Sequence, residues 1–343
     1  MDNGTILLKT CIQDITAGFE LTKLPDRSTG SSEMIVREAH FSGDASQSFS
    51  ADADEAVPAF ELLSPECPIA PFLFNSPHSG RHYTDRFLAA SRLDAHTIRR
   101  SEDSFVEELF AGVLMGGAQL LKANFPRAFL DVNREPYELD PKMFRGRLPS
   151  YANVRSLRVA GGLGTIARIV AEHEEIYREP LDVQEAMSRI EAIYKPYHAL
   201  IRKTLARLHV GFGFSVIIDC HSMPSVVRGT DSASRPDFVL GDRYGTSCAA
   251  ELVDIAARTL RSLGYTVARN KPYAGGFITE HYGRPAQGLH ALQVEINRGL
   301  YMNEATYEKL DSFERLGIDL TAFADEIMSY QKDRQRARPL AAE

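Results

Sequence analysis

The chain has 343 residues, 44% of them hydrophobic and 25% charged, the composition of a soluble globular protein rather than a membrane class. A formal charge of -7 excludes a broad phosphate-binding face, so nucleic acid is not an expected partner. No apolar run is long enough to cross a bilayer, and MDNGTILLKT lacks the basic and apolar regions of a secretory signal, so a cytoplasmic location is expected.

Residues 1–60 read as an N-terminal extension. Within it, Thr5 to Leu24 has a weak periodicity compatible with a helix, a hairpin or no packed structure. Residues 41–58, rich in Ser, Ala, Asp and Gly with no Lys or Arg, form a loose connector. From 61 to 332 strand-like and helix-like segments alternate, the pattern of an α/β domain with helices on both faces of a sheet. The expected strands are Pro71–Ser76, Gln119–Asn124, Ala128–Asn133, Phe214–His221, Asp237–Gly241, Tyr265–Arg269 and Leu289–Asn297. Helical spacing predicts Arg86–Ile98, Asp103–Met115, Thr165–Tyr177, a long segment Leu181–His209 bent near Pro196, Ser247–Leu263 and Thr306–Tyr330. Residues 333–343 form a basic tail. Cys11, Cys67, Cys220 and Cys248 are far apart with no CxxC pair, so reduced structural cysteines are expected. No GxGxxG follows a strand, which disfavours a dinucleotide cofactor.

Several of these runs end in residues able to ligate, titrate or bind anions, and open α/β sheets place their sites at the carboxyl ends of strands. In PFLFNSPHSGRHY the strand stops at Pro77 and presents His78 on a Ser/Gly turn, where a lone histidine is ordinarily a turn residue. SEDSFVEELF opens a helix with Glu102 and Asp103 in its first turn, where acids also favour the helix dipole. Ser101 already meets the capping need, which leaves an extra carboxylate to explain. In NFPRAFLDVNREPYELD, read as a strand, Asp131 and Asn133 share a face between Arg127 and Arg134. The planar guanidinium forks suit a carboxylate, although arginines at strand ends also pair with structural acids.

FSVIIDCHSMPS puts Ile217, Asp219 and His221 on one face, where Asp219 is placed to fix a histidine tautomer as carboxylates behind metal ligands do. Two imidazoles fall short of the three protein ligands of a catalytic zinc, so a carboxylate is wanted, from Glu102 or Asp103. LHALQVEINRGLY buries Leu292, Val294 and Ile296 on one face and leaves Gln293, Glu295 and Asn297 on the other. A carboxylate there is costly unless paired, with Arg298 the nearest candidate, or working. Burial raises its pKa and a nearby cation lowers it, the opposition that poises a general base near neutrality.

In order, PHSGR, EDSFVEEL, PRAFLDVNRE, DCHS, NKPYAGGFITEHYG and LQVEINRGLYM resemble the N-formylglutamate amidohydrolase family, from about Pro65 to Tyr330. The resemblance implies a phosphorylase/hydrolase-like α/β fold, a mixed central sheet with helices on both faces, related to zinc carboxypeptidases and to deacylases of acylated aspartate and glutamate. It implies one divalent metal ion, zinc, on His78, Asp103 and His221, with Glu295 as the catalytic glutamate. Asn133 and Arg134 correspond to the pair that receives the substrate carboxylate; Arg127 stands beside them, and Arg298 is expected to bind substrate as well. The carboxypeptidase relatives draw their first His and their Glu from one HxxE motif, whereas the residue three after His78 is Arg81, so here the carboxylate comes from elsewhere. SFVEEL also lacks the histidine that many histidine-pathway members carry near this point.

The expected activity is hydrolysis of an N-formyl or short N-acyl amino acid such as N-formylglutamate by a metal-activated water. Glu295 takes the proton and passes it to the leaving amine, while Arg127 steadies the oxyanion. A small acidic N-acyl amino acid is the expected partner. Rival readings are a carboxypeptidase-like peptidase, which a loop at Gly275 and Gly276 closing the site would hinder; a non-catalytic sensor of an acidic metabolite, against which a buried base argues; and a serine hydrolase through Ser222 or Ser79, which lack a GxSxG elbow.

Overall fold

The computed structural model describes residues 20–22, 35–40, 57–65, 68–171, 174–226 and 235–337. Nine strands form one sheet: β1 (Glu20–Thr22), β2 (Ile35–His40), β3 (Phe60–Pro65), β4 (Phe72–Ser76), β5 (Gln119–Ala123), β6 (Ser215–Met223), β7 (Phe238–Gly241), β8 (Val267–Arg269) and β9 (Leu289–Asn297). Their order is β1-β2-β3-β5-β4-β6-β9-β7-β8. The centre, β5-β4-β6-β9, is parallel. On one side β3, β2 and β1 continue antiparallel; on the other β7 runs antiparallel to β9, with β8 parallel to β7.

The apolar runs in the sequence follow from this placement, because central parallel strands are covered on both faces. Every residue of β4 and β6 is buried, and of β9 all but Leu289. Alternation divides them: Phe72, Phe74, Val216, Ile218, Leu292, Val294 and Ile296 face a core shared with the helices Ala250–Ser262 and Phe313–Ala337. Leu73, Ile217 and Ala291 face the second core, against the helix Lys195–Phe212. Burying each such side chain stabilises by about 1.5–3 kcal/mol, so a polar group on either face persists only when partnered. The second face becomes polar toward the carboxyl ends of the strands, at Asn75, Asp219, His221, Gln293 and Glu295.

Six of the seven expected strands are present. Ala128–Asn133 is not one of them; it is a chain of turns in which Phe129 N–H donates to Pro126 O and Asn133 N–H to Asp131 Oδ1. Nor do the described residues of Thr165–Tyr177 form a helix; they form turns and bends and an isolated bridge between Ile169 and Glu175. The long helix passes from Val183–Arg189 through a π turn, Ile190–Tyr194, into Lys195–Phe212. That wider turn precedes Pro196, whose missing N–H cannot continue the ordinary ladder. The last helix runs to Ala337, past Tyr330 and into the expected tail. Strands β1 and β2 extend the sheet into the expected extension. The remainder of Thr5 to Leu24, the connector apart from its last two residues, Cys11, Cys67 and residues 338–343 lie outside the described residues. Cys220 and Cys248 are free and buried.

Candidate active site

Three side chains from three distant segments meet at the carboxyl end of the sheet. His78 follows β4, Asp103 stands before the short helix Val106–Leu109, and His221 lies on β6; one ligand atom from each falls within 4.8 Å of the others. All three are almost fully buried. The segments are also tied through backbone, since Asp103 N–H donates to His78 O at 3.0 Å. Phe105, at φ 66, turns the chain after Asp103, so the expected helix Asp103–Met115 is reduced to Val106–Leu109 and a 3-10 turn, Ala111–Leu114. The neighbouring Glu102 is used elsewhere: its oxygens accept from Arg99, Tyr83 and Ser104. Asp103 is thus the carboxylate in the cluster.

Each histidine turns its Nδ1 inward and has its far nitrogen held by a buried acid. His78 Nε2 lies 2.8 Å from Asp131 Oδ1 and His221 Nε2 lies 2.8 Å from Asp219 Oδ2. Asp219 is fixed in turn by Asn75 Nδ2 on its other oxygen at 2.7 Å, and Tyr197 donates to Asn75. These contacts favour protons on both Nε2 atoms, while Asp103 Oδ2 lies 2.9 Å from His221 Nδ1 and 3.4 Å from His78 Nδ1, so that a cation between them would take up the Nδ1 lone pairs. Buried His78 Nδ1 makes no hydrogen bond. A divalent cation suits this arrangement: two imidazole nitrogens and one carboxylate oxygen converge, with acids behind both rings.

The charges point the same way. Burial opposes ionisation of Asp103, yet its close contacts with His221 and His78 outweigh it and hold the carboxyl well below the usual range. Burial likewise opposes Asp131, and Arg134, His78 and Arg127 bring it well down. His221 is raised well above the ordinary imidazole value although burial opposes it, chiefly by Asp219 and Asp103. The cluster therefore favours positive charge at its centre.

Glu295 faces the cluster. It is 7% exposed, its Oε1 accepts from Gln293 Nε2 at 2.7 Å, and it stands in register with His221 across the β6-β9 ladder. Burial pushes its carboxyl up to about 7; Asp103 adds to the rise, and His221, Arg127 and Arg298 oppose it. Arg298, expected to bind substrate or pair with Glu295, lines the same cavity and places its nitrogens on Asp103 Oδ1 at 3.0 Å, Ser222 Oγ at 3.0 Å and Arg100 O at 3.3 Å, and so orients the cluster's carboxylate.

These residues line a cavity of about 490 Å³ that also takes in Arg127, Asn133, Arg134, Gly275 and Gly276. Arg127 Nε binds Asp131 Oδ2 at 3.0 Å, its terminal nitrogens carrying no bond to the described residues. Arg134 spends Nε on Leu163 O and Nη1 on Asn133 O, both at 2.9 Å. Asn133 links both sides of the cavity: its nitrogen donates to Asp219 Oδ2 at 3.1 Å, and its oxygen accepts from Ile278 N–H at 2.8 Å. Gly276 packs on that amide so closely that a Cβ would lie 2.5 Å from it.

A family model described as N-formylglutamate amidohydrolase matches residues 70–302. The chain belongs to the N-formylglutamate amidohydrolase family. Two relatives, N-formylglutamate deformylases of Pseudomonas putida and Pseudomonas aeruginosa, are 30% and 31% identical over 68% and 71% of this chain and 82% and 86% of theirs. The crystal structure of an N-formylglutamate amidohydrolase from Ralstonia eutropha JMP134 is 36% identical with a TM-score of 0.76, over 80% of this chain and 99% of that one. The gene product Atu2144 of Agrobacterium tumefaciens, 19% identical with a TM-score of 0.54 over 78% of this chain and 93% of its own, shares the fold.

As a member of the N-formylglutamate amidohydrolase family the protein is an enzyme, an amidohydrolase, and the matched residues contain the whole cluster and Glu295. The six motifs read from the sequence converge on it, NKPYAGGFITEHYG through Gly276 and Ile278. Sequence reasoning did not find the partner of His78: Asp131 was expected beside Asn133 on a strand face, whereas a turn carries it to the imidazole. The Asn75-Tyr197 support of Asp219 was also missed, and the buried polar Asn75 in an apolar strand was its only signal. No helix among the described residues is long and apolar enough to cross a membrane.

Proposed function

We propose that the protein hydrolyses N-formylglutamate to formate and glutamate with one divalent ion, zinc, held by His78, Asp103 and His221. The observation that carries this reading is the facing of the buried Nδ1-Nδ1-carboxylate cluster by Glu295 in a cavity rimmed with arginine. The relatives named for this activity supply the substrate. When bound, the ion supplies Lewis acidity, polarising the formyl carbonyl and acidifying water.

Glu295 accepts a proton from the attacking water as its oxygen adds to the formyl carbon. The carbon–nitrogen bond then breaks and the same carboxyl delivers the proton to the leaving nitrogen. A carboxyl near neutrality can do both, because it is neither too weak to accept nor too acidic to return the proton. The terminal nitrogens of Arg127 receive negative charge as it develops on the carbonyl oxygen. Arg134, beside Asn133, holds the substrate α-carboxylate.

The test is formate release from N-formylglutamate by purified protein of measured metal content, with dipeptides as controls. Metal-dependent formate release without dipeptide cleavage is expected. Full activity after chelation, or stoichiometric binding without turnover, would overturn the reading.

A further inference from the structure

N-formylglutamate carries two carboxylates, and the arrangement above uses one arginine for one of them. Resting on that reading of the site, we propose that Arg158 is the second carboxylate anchor, receiving the side-chain carboxylate and so setting the preference for dicarboxylic acyl amino acids.

Arg158 lines the same cavity as the metal cluster and Arg134. It belongs to the turn Leu157–Ala160, capped by Ser156, whose Oγ accepts from Val159 N–H. A short relay sets the two arginines side by side: Leu163 N–H donates to Arg158 O at 2.8 Å, and Leu163 O accepts from Arg134 Nε at 2.9 Å. Burial lowers the pKa of Arg134, Asp131 opposes this, and the charges of Arg127 and Arg158 lower it further, so like charges crowd on this wall.

Arg158 is also the least engaged of the cavity's outer arginines. Arg243 is held by Glu280 at 2.8 Å and Arg100 by Glu174 at 2.8 Å. Among the described residues Arg158 pairs only with Glu138, at 3.6 Å, and its side chain is 33% exposed. Its fork can therefore take a carboxylate without breaking a short ion pair. The same cavity is lined by Leu163, Ala167, Ile169 and Val170, apolar side chains suited to the methylene groups of glutamate.

The experiment compares wild type, R158Q and R158K on N-formylglutamate and on N-formylglutamine, which keeps the shape and loses the charge, with calorimetric titration of L-glutamate and L-glutamine into each protein. R158Q should lower kcat/KM for N-formylglutamate by roughly 10- to 100-fold, mainly through KM, leave N-formylglutamine within about threefold, and abolish tighter binding of glutamate; R158K should recover part of the loss. An equal fall on both substrates, or no change on either, overturns the assignment. Failure of the wild type to release formate from any formyl amino acid overturns the proposed activity instead, and the titrations then decide Arg158. A glutamate preference erased in R158Q sustains it, and no preference overturns it.

Discussion

His221 and Glu295 are direct partners across a parallel ladder, β6 to β9, with their side chains on the same face of the sheet. The candidate metal ligand and the proposed proton acceptor are thus spaced by the backbone itself, and their separation is as rigid as the strand pairing. Strand-borne groups hold tighter geometry than loop-borne ones, and Arg127 and Arg134, both on turns, carry the adaptable side of the cavity.

Replacement of Glu295 by Gln should leave metal content unchanged and lower kcat by about three orders of magnitude. Metal analysis beside steady-state kinetics checks this, and normal turnover would remove Glu295 from proton transfer. In the wild type, kcat/KM should fall as pH drops through the Glu295 pKa, at or below about 7 because a bound cation adds to the charges that lower it.

The same carboxyl links stability to pH. Its folded value, about 7, lies above the ordinary 4.5, so the folded chain binds the proton more tightly and stability is lost as pH rises between those values. In metal-stripped protein the stability of E295Q relative to wild type should therefore grow from pH 4.5 upward and level off above 7, by about 3 kcal/mol. Urea unfolding at pH 5 and pH 8 measures it, and a difference independent of pH would refute the linkage.

Asp131 and Asp219 should govern metal affinity without touching the ion. D131N and D219N are each expected to weaken zinc binding by about 10- to 100-fold in competition with a chromophoric chelator. E102Q, which removes a carboxylate held by Arg99, Tyr83 and Ser104, should bind as wild type; loss of the ion in E102Q would mean that Asp103 is not the ligating acid.

Gly80 of the PHSGR motif has a backbone reason to be glycine, because a Cβ there would lie 2.0 Å from Phe125 O, which cannot swing aside. G80A should cost about 3 kcal/mol or more. G211A, where a Cβ meets nothing within 4 Å in the exposed last turn of the helix Lys195–Phe212, should be neutral or stabilising. Equal melting temperatures for the two variants would contradict the close approach.

How far these relationships were legible in the sequence differs by segment. Strands β4, β6 and β9 were readable because apolar runs covered on both faces end abruptly in polar residues, and β9 matched its expected bounds. PRAFLDVNRE misled because Leu130 and Val132, both fully buried, imitate strand alternation. Pro126, Asp131 and Asn133 turn the chain there, Asp131 accepting from the Asn133 backbone. The choice between Glu102 and Asp103 was beyond the sequence, since it depends on the left-handed Phe105 and the His78 carbonyl. The Asp103 contact of Arg298 was not legible, because adjacency offered Glu295 as its structural partner, while the strand end points its guanidinium across to Asp103.

His221 and Asp103 are 118 positions apart in the chain, and they approach each other only in the folded molecule. Zinc would therefore recognise the native protein and ignore the unfolded chain, acting as a clasp on the whole domain. In a cell short of zinc, degradation of loosened molecules should lower the amount of enzyme as well as the fraction loaded, so that metal supply sets both together.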